Sequence, residues 1–266
     1  MSRKGPQRIV CLTEETTETL YLLGEQDRIV GISGFTVRPP QARREKPKVS
    51  AFTSAKIDRI VALKPDLVLG FSDLQAAIAA DLIRAGIEVH VFNQRSVEQI
   101  LDFIRCLGGM IGVPDKAAAL ANELDRGLDE ARDVANSLRR RPRVYFEEWD
   151  QPMISGIRWV SELIGIAGGD NCFPELAMHQ GARDRIIADG QEVVRRQPDL
   201  ILGSWCGKKF RPEKVANRPG WNDTPAVRNG DLYEIKSSEI LQPGPAALTD
   251  GLRRIQALIV AWSASK

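Results

Sequence analysis

Histidine is scarce, with two copies in 266 residues, and the four cysteines, Cys11, Cys106, Cys172 and Cys206, share no CxxC spacing. Neither a zinc framework nor a disulfide scaffold is indicated. Three of the four cysteines read as small buried hydrophobes in a reducing compartment. No stretch approaches the ~20 apolar residues that a membrane span requires. Neither sign of charge is in excess: 37 Lys and Arg face 35 Asp and Glu, a formal net charge of +2. With no basic stripe set among aromatics, nucleic-acid binding has no support. Neither GxxxxGK nor GxGxxG follows a strand-like run, so a glycine-rich phosphate cradle is also missing. The first residues, Met1 to Arg8, show no apolar h-region, cleavage site or lipid-bearing cysteine. As written, the chain is expected in the cytoplasm, with the periplasm as the alternative if a leader was removed.

What the chain has is a near-repetition of itself. Ile60-Val61-Ala62-Leu63-Lys64-Pro65-Asp66-Leu67-Val68-Leu69-Gly70-Phe71 returns as Val193-Val194-Arg195-Arg196-Gln197-Pro198-Asp199-Leu200-Ile201-Leu202-Gly203-Ser204. Each copy reads as a helix stopped by proline, an Asp turn, an apolar strand and a glycine. Two further segments repeat in the same order. Arg8 to Leu12 with Glu18 to Gly24 matches Arg143 to Glu147 with Ser161 to Gly165, and Gly86 to Phe92 matches Gly230 to Ile235. One duplication at half-length signals two like lobes rather than an array of short units. Strand and helix patterns alternate in both, so each lobe is expected to be a parallel sheet flanked by helices.

Between the copies lies the clearest helix pattern. Pro114-Asp115 starts it, Arg139-Arg140-Arg141-Pro142 ends it with cations and a proline, and Leu120, Leu124, Leu128, Ala131, Val134 and Leu138 form one apolar stripe. Its ~25 residues would reach roughly 37 Å. The expected organisation is an amino-terminal lobe over 1–112, a rigid linking helix over 113–141 and a carboxyl-terminal lobe over 142–266, with the ligand cleft between the lobes.

In open α/β sheets ligands bind outside the carboxyl ends of the strands. That rule selects the loops carrying Phe35 and Arg38, Phe52, Phe71 with Ser72 and Gln75, Trp149, Arg158 with Trp159, and Trp205 to Arg211 with Gln242. Flat side chains there suit a large, partly apolar, conjugated ligand. Phe35, Phe52, Phe71, Trp149, Trp159, Trp205 and Phe210 are the aromatic candidates. Arg38, Arg158, Lys208, Lys209 and Arg211 are cations able to hold a phosphate or carboxylate. The plainer reading packs Trp149 and Trp159 beneath the second lobe and leaves the cations facing water.

Chemistry is thinly represented. His90 alternates within an apolar strand and reads as a core residue. His179, in Ala177-Met178-His179-Gln180, is the weak candidate for a metal, set against an ordinary exposed loop histidine. Cys206 lies beside Trp205, Lys208 and Lys209, where a lowered thiol pKa is conceivable. Glu147 and Glu148 are adjacent on a strand and would point to opposite faces. No nucleophile has a base beside it in sequence, so an enzyme is disfavoured against a binding protein or a metal-chelate carrier.

Taken in order, Arg8 to Leu12, Thr17-Glu18, Leu23-Gly24, Asp27 to Ile32, Ile57 to Leu69, Gly168-Gly169-Asp170-Asn171 and Pro198 to Ile201 carry a resemblance. Over nearly its whole length the chain resembles ABC-type substrate-binding proteins for vitamin B12 and ferric siderophores, and is most similar to the cobalamin-binding branch. The resemblance implies a cobalamin or related corrinoid as bound ligand, no required cofactor, and an ABC permease as partner. Phe71 falls where the branch places a tryptophan on the corrin. The second such position falls near Arg185, with Trp205 as a substitute from the adjacent loop. The rim glutamates that dock on permease arginines fall near Gln75 to Ala77 and at Gln191, with Glu192 adjacent, so they are not retained. The expected protein is a monomer that sandwiches its ligand between Phe71 and Trp205, pairs a phosphate with Lys208, Lys209 or Arg211, and inserts into no membrane.

Overall fold

The computed structural model describes residues 5–266; Met1 to Lys4, part of the stretch read for a leader, lie outside the described residues. The chain forms two units, Met1–Gln94 with Glu98–Asp125, and Arg95–Val97 with Arg126–Lys266.

The first unit runs β1 (Ile9–Cys11), α1 (Glu14–Leu22), β2 (Ile29–Ser33), α2 (Pro40–Glu45), β3 (Lys48–Ser50), α3 (Ile57–Ala62), β4 (Leu67–Phe71), α4 (Ala76–Arg84), β5 (Val89–Phe92) and α5 (Val97–Met110). Its five strands lie in the order β3-β2-β1-β4-β5, and every pair is parallel. The apolar runs Ile9–Cys11 and Leu67–Phe71 are wholly buried, as parallel strands covered on both faces require. After β3 the chain crosses to the other side of β1, so the crevice of this sheet opens at the carboxyl ends of β1 and β4.

Helix α6 (Pro114–Asn136) is shared, with Asp125 the last residue of the first unit and Arg126 the first of the second stretch. Its 23 residues reach roughly 34 Å. The helix stops before Arg139, and its buried stripe is Ala117, Ala121, Leu124, Leu128, Ala131 and Ala135, with Val134 exposed. The sequence pattern follows the bulkier residues, whereas the packed face is chosen for closeness. A methyl added to Gly108 of α5 would stand 2.1 Å from the Ala117 side chain.

The second unit runs β6 (Arg143–Asp150), β7 (Met153–Ser155), α7 (Arg158–Ile166), β8 (Asp170–Asn171), α8 (Pro174–Ala177), α9 (Gln191–Arg196), β9 (Leu200–Gly203), α10 (Pro212–Ala216), α11 (Pro225–Asn229), β10 (Leu232–Glu234), α12 (Ser237–Ile240) and α13 (Leu252–Ala264). Strands β10, β9 and β6 lie side by side and parallel, and β8 also pairs with β6. Here the sheet departs from the all-parallel expectation. Gln151-Pro152 turns the chain back on itself, and β7 pairs antiparallel with β6.

The repeated segments occupy repeated places. β1, β4 and β5 lie in the same lateral order as β6, β9 and β10. In both copies the residue before the proline, Lys64 or Gln197, has φ +48°. Proline bars its predecessor from the helical region, and a left-handed residue closes the helix instead. The following Asp ties the turn to the neighbouring strand. Asp66 accepts from the Arg8 amide at 2.8 Å and Asp199 from the Arg143 amide at 2.9 Å.

Candidate functional site

The rim of the first sheet is built more tightly than its loop composition suggests. Gln75, expected to meet ligand, is fully buried and acts as a brace. Its side chain accepts from the Phe71 amide at 2.9 Å and donates to the Phe52 carbonyl at 2.9 Å and the Leu12 carbonyl at 3.4 Å. It thereby fastens the end of β4 to that of β1. Phe71 is buried, and Ser72 is buried with φ +63° while its hydroxyl accepts from the Leu74 amide. Ser72 borders a shallow recess of about 420 Å³ between α4 and β5. Phe35 is exposed, Phe52 is half-buried, and Arg38 pairs with Glu18 at 3.0 Å.

Beside Arg38 lies a feature that loop composition did not reveal. Glu14 and Glu15, in the first turn of α1, are buried at the end of β1. Desolvation, helped by the nearby Glu18 charge, pushes the Glu14 carboxyl up to about 8. Desolvation likewise pushes Glu15 up to about 7, against the hydrogen bond it accepts from the Thr13 hydroxyl at 2.5 Å. One oxygen of each, Oε1 of Glu14 and Oε2 of Glu15, has no hydrogen-bond partner. Acidic residues opening a helix read from sequence as dipole complements, so the local pattern gave no sign of burial.

In the second unit, three aromatics selected as ligand contacts point inward. Trp159 is buried on α7 and donates to the Ile240 carbonyl at 2.8 Å. Trp205 is only 4% exposed, donates to Glu147 at 3.0 Å and packs edge-to-face on Phe210 with centroids 5.0 Å apart. Phe210 itself seats on Gly203, where an added methyl would stand 1.9 Å from its ring. The loop after β9 thus folds back over its own strand, and these rings fill the core of the unit instead of a rim. Trp149 stays half-buried, its indole donating to the Gln151 carbonyl at 2.9 Å. The Lys208 ammonium lies 4.1 Å above the Trp149 ring and pairs with Asp150, so it is engaged within the protein rather than held ready for a phosphate. Burial alone would raise the Asp150 carboxyl, but Lys208 holds it below the usual range.

Lys209 and Arg211 are exposed, the latter 3.6 Å from Glu213, and Gln242 is half-buried. Arg158 pairs with Glu162 at 2.8 Å along α7. Cys206 is exposed, and its thiol is pushed up by desolvation and by the Glu148 charge, opposite to the activation its cationic neighbours suggested. His179 is exposed, and no cluster of His, Cys, Asp or Glu able to hold a metal occurs among the described residues.

Behind the rim stand two ion pairs that sequence reading missed. Glu147, fully buried, accepts from both Arg218 nitrogens at 2.5 and 2.9 Å and from the Tyr145 hydroxyl at 2.8 Å. Glu148 points to the opposite face, as strand alternation requires, and pairs with buried Arg185 at 2.6 Å. Where the resemblance looked for a ring on the ligand, Arg185 is therefore a core latch that also donates to the Ser155 carbonyl. The pairing of Tyr145 with Glu147 was open to inference from their i, i+2 spacing, but Arg218 lies 71 residues away. Arg218 also lines a cavity of about 710 Å³ that opens between the Gln151–Met153 turn, Ile186 to Ala188 and α10 with Asn217. At the docking places, Gln75 is buried, Gln191 donates to the Pro219 carbonyl, and Glu192 is held by Arg195 and Arg196.

Two α/β units sharing a helix, with a cavity at a strand end, define a ligand-binding architecture. The periplasmic binding protein family model matches residues 9–239. A vitamin B12-binding protein of Vibrio parahaemolyticus is 25% identical over 260 residues, 93% of this chain and 88% of that protein. A possible iron-binding, periplasmic solute-binding protein of Staphylococcus epidermidis has a structure superposing with a TM-score of 0.83 at 20% identity, over 96% of this chain and 99% of that one. The periplasmic heme-binding protein RhuT of Roseiflexus superposes with a TM-score of 0.79 at 24% identity, over 96% and 100% of the two chains. The chain belongs to the periplasmic binding protein family. It is a substrate-binding protein of the ABC import type. Among the described residues, no helix is long and apolar enough to cross a membrane.

Proposed function

We propose that this protein binds a corrinoid, cobalamin or a related cobamide, and releases it unchanged to an ABC permease. The similarity that spans both units to a protein that binds vitamin B12 carries the reading. Trp149, half-buried at the end of β6, is a flat side chain for stacking, and the next residue, Asp150, lines a cavity of about 710 Å³. The groups weighed for catalysis in the sequence are otherwise engaged: Glu147 is paired with Arg218 and Glu148 with Arg185, and the Cys206 thiol is raised. A monomer suffices for this role. The family's periplasmic character supports a place outside the cytoplasm, where the sequence as written had suggested one inside.

A second reading, an iron chelate or heme, is favoured by the exposed cations Lys209 and Arg211 on the same rim. Calorimetric titration with hydroxocobalamin and, in parallel, with hemin separates the two. The corrinoid reading expects a dissociation constant below ~1 μM for hydroxocobalamin and much weaker hemin binding; no hydroxocobalamin binding at ~100 μM contradicts it.

A further inference from the structure

Trp149 is half-buried, and its ring already has an occupant. The ring packs against the hydrophobic core of the second unit, and its indole N–H is fixed on the Gln151 carbonyl at 2.9 Å. The Lys208 ammonium stands 4.1 Å from the centroid of that ring and 5.1 Å from that of Trp205. Both lie within the ~6 Å over which a cation is drawn to an aromatic face. Asp150, the residue after Trp149, pairs with the same ammonium. Two successive residues of β6, one by its ring and one by its carboxylate, thus hold a single cation.

The strap that carries Lys208 is built to place it there. Cys206 to Lys209 are exposed, but they run between two buried rings, Trp205 anchored on Glu147 and Phe210 seated on Gly203. Phe210 is tied further by its amide, which donates to Glu234 at 2.9 Å. Gly207, at φ +79°, takes the left-handed conformation that turns the strap back, and the Lys208 amide donates to the Trp205 carbonyl at 3.3 Å. A side chain 40% exposed, on a short strap between fixed ends, can leave the ring without disturbing either anchor.

We propose that Lys208 is an intramolecular competitor for the Trp149 ring and sets the affinity of the site, because a flat ligand stacks there only by displacing the ammonium. The inference rests on the reading that the cargo is a flat macrocycle stacking on Trp149, and adds what that cargo must displace. Displacement forfeits the contact between cation and ring and loosens the ion pair with Asp150, so part of the stacking gain is spent on removing the lysine.

The test compares the unaltered protein with Lys208→Ala and with the double variant Lys208→Ala, Asp150→Asn, in which no carboxylate is left without its cation. Acrylamide is neutral, so it reports access to an indole without responding to the lost charge. The quenching due to Trp149 is the difference from the same protein carrying Trp149→Phe, and it should rise ~2-fold or more in both variants. Hydroxocobalamin and hemin are titrated in parallel, and whichever binds should bind ~5-fold or more tightly to the variants than to the unaltered protein. Where Lys208→Ala lowers the melting temperature, the double variant decides. Unchanged quenching overturns the competitor. So does hydroxocobalamin bound with equal or lower affinity by the variants, which leaves the corrinoid reading intact. Hydroxocobalamin bound by none of the three, with hemin tightened in the variants, overturns the corrinoid reading and upholds the competitor. Neither macrocycle bound by any of the three overturns both.

Discussion

Trp149 closes β6 and Trp205 follows β9, and both satisfied the rule that rim aromatics hold ligands. Only their surroundings separate them. Trp205 is closed in by Phe210 and anchored on Glu147, whereas Trp149 keeps part of its ring open beneath Lys208. Trp205→Ala should therefore act on stability, costing roughly 3–5 kcal/mol in chemical denaturation. Trp149→Ala should act on affinity, by roughly 1–3 kcal/mol in a ligand titration, with little change in melting temperature. The reverse pattern would return Trp205 to the binding surface. Loop composition reveals that aromatics gather near strand ends, but which way each ring turns depends on partners far away in sequence.

Glu14 and Glu15 make the stability depend on pH. Their carboxyls are raised above the ordinary 4.5, so the folded state binds protons that the unfolded state has already released. Their stabilising contribution is fully present below about 4.5 and is lost as pH rises through about 7 and then about 8. Thermal melting should decline from about pH 4.5 to about pH 8 and level off above that, and the double substitution Glu14→Gln with Glu15→Gln should flatten that decline and raise the melting temperature at the alkaline end. An unchanged slope in the double variant assigns the effect elsewhere.

At the scale of elements, the duplicated Pro-Asp segments were readable because their physics is local. Proline ends a helix, aspartate caps a turn, and a β-branched run becomes a buried strand. The two turns coincide in φ and in the amide that each Asp accepts. Asp66→Ala and Asp199→Ala should thus lower stability by similar amounts, each about 1–2 kcal/mol by urea denaturation. A large cost at one site and none at the other would mean that the likeness of the turns is not matched in energy.

Strand β7 was not readable in the same way. Gln151-Pro152 looks like an ordinary loop until β6 is seen to continue to Asp150, which leaves the next apolar residues only the antiparallel edge. Helix α6 shows a similar blind spot. Its existence and length were plain, but its buried face takes in Ala117, Ala121 and Ala135 rather than Val134, and Ala117 fits against Gly108 of α5.

At the scale of the whole molecule, the family and the α/β class were both legible, because motif order over the full chain survives at about 25% identity where single contacts do not. The candidate site was only partly legible. Sequence pointed to the loops after β4, β6 and β9, but not to the cavity beside Gln151 and Asn217, nor to the Arg218 and Glu147 pair behind it. Those features join residues from separate elements, and no periodicity announces them. Structures of similar shape carry iron-binding and heme-binding names, so the architecture alone does not choose a cargo.

The most direct measurement is the visible absorption spectrum of the protein purified from cells grown with vitamin B12, before and after incubation with hydroxocobalamin and gel filtration. The account predicts corrin bands that travel with the protein in stoichiometric amount and are lost on denaturation. Protein that remains colourless after both steps would contradict it.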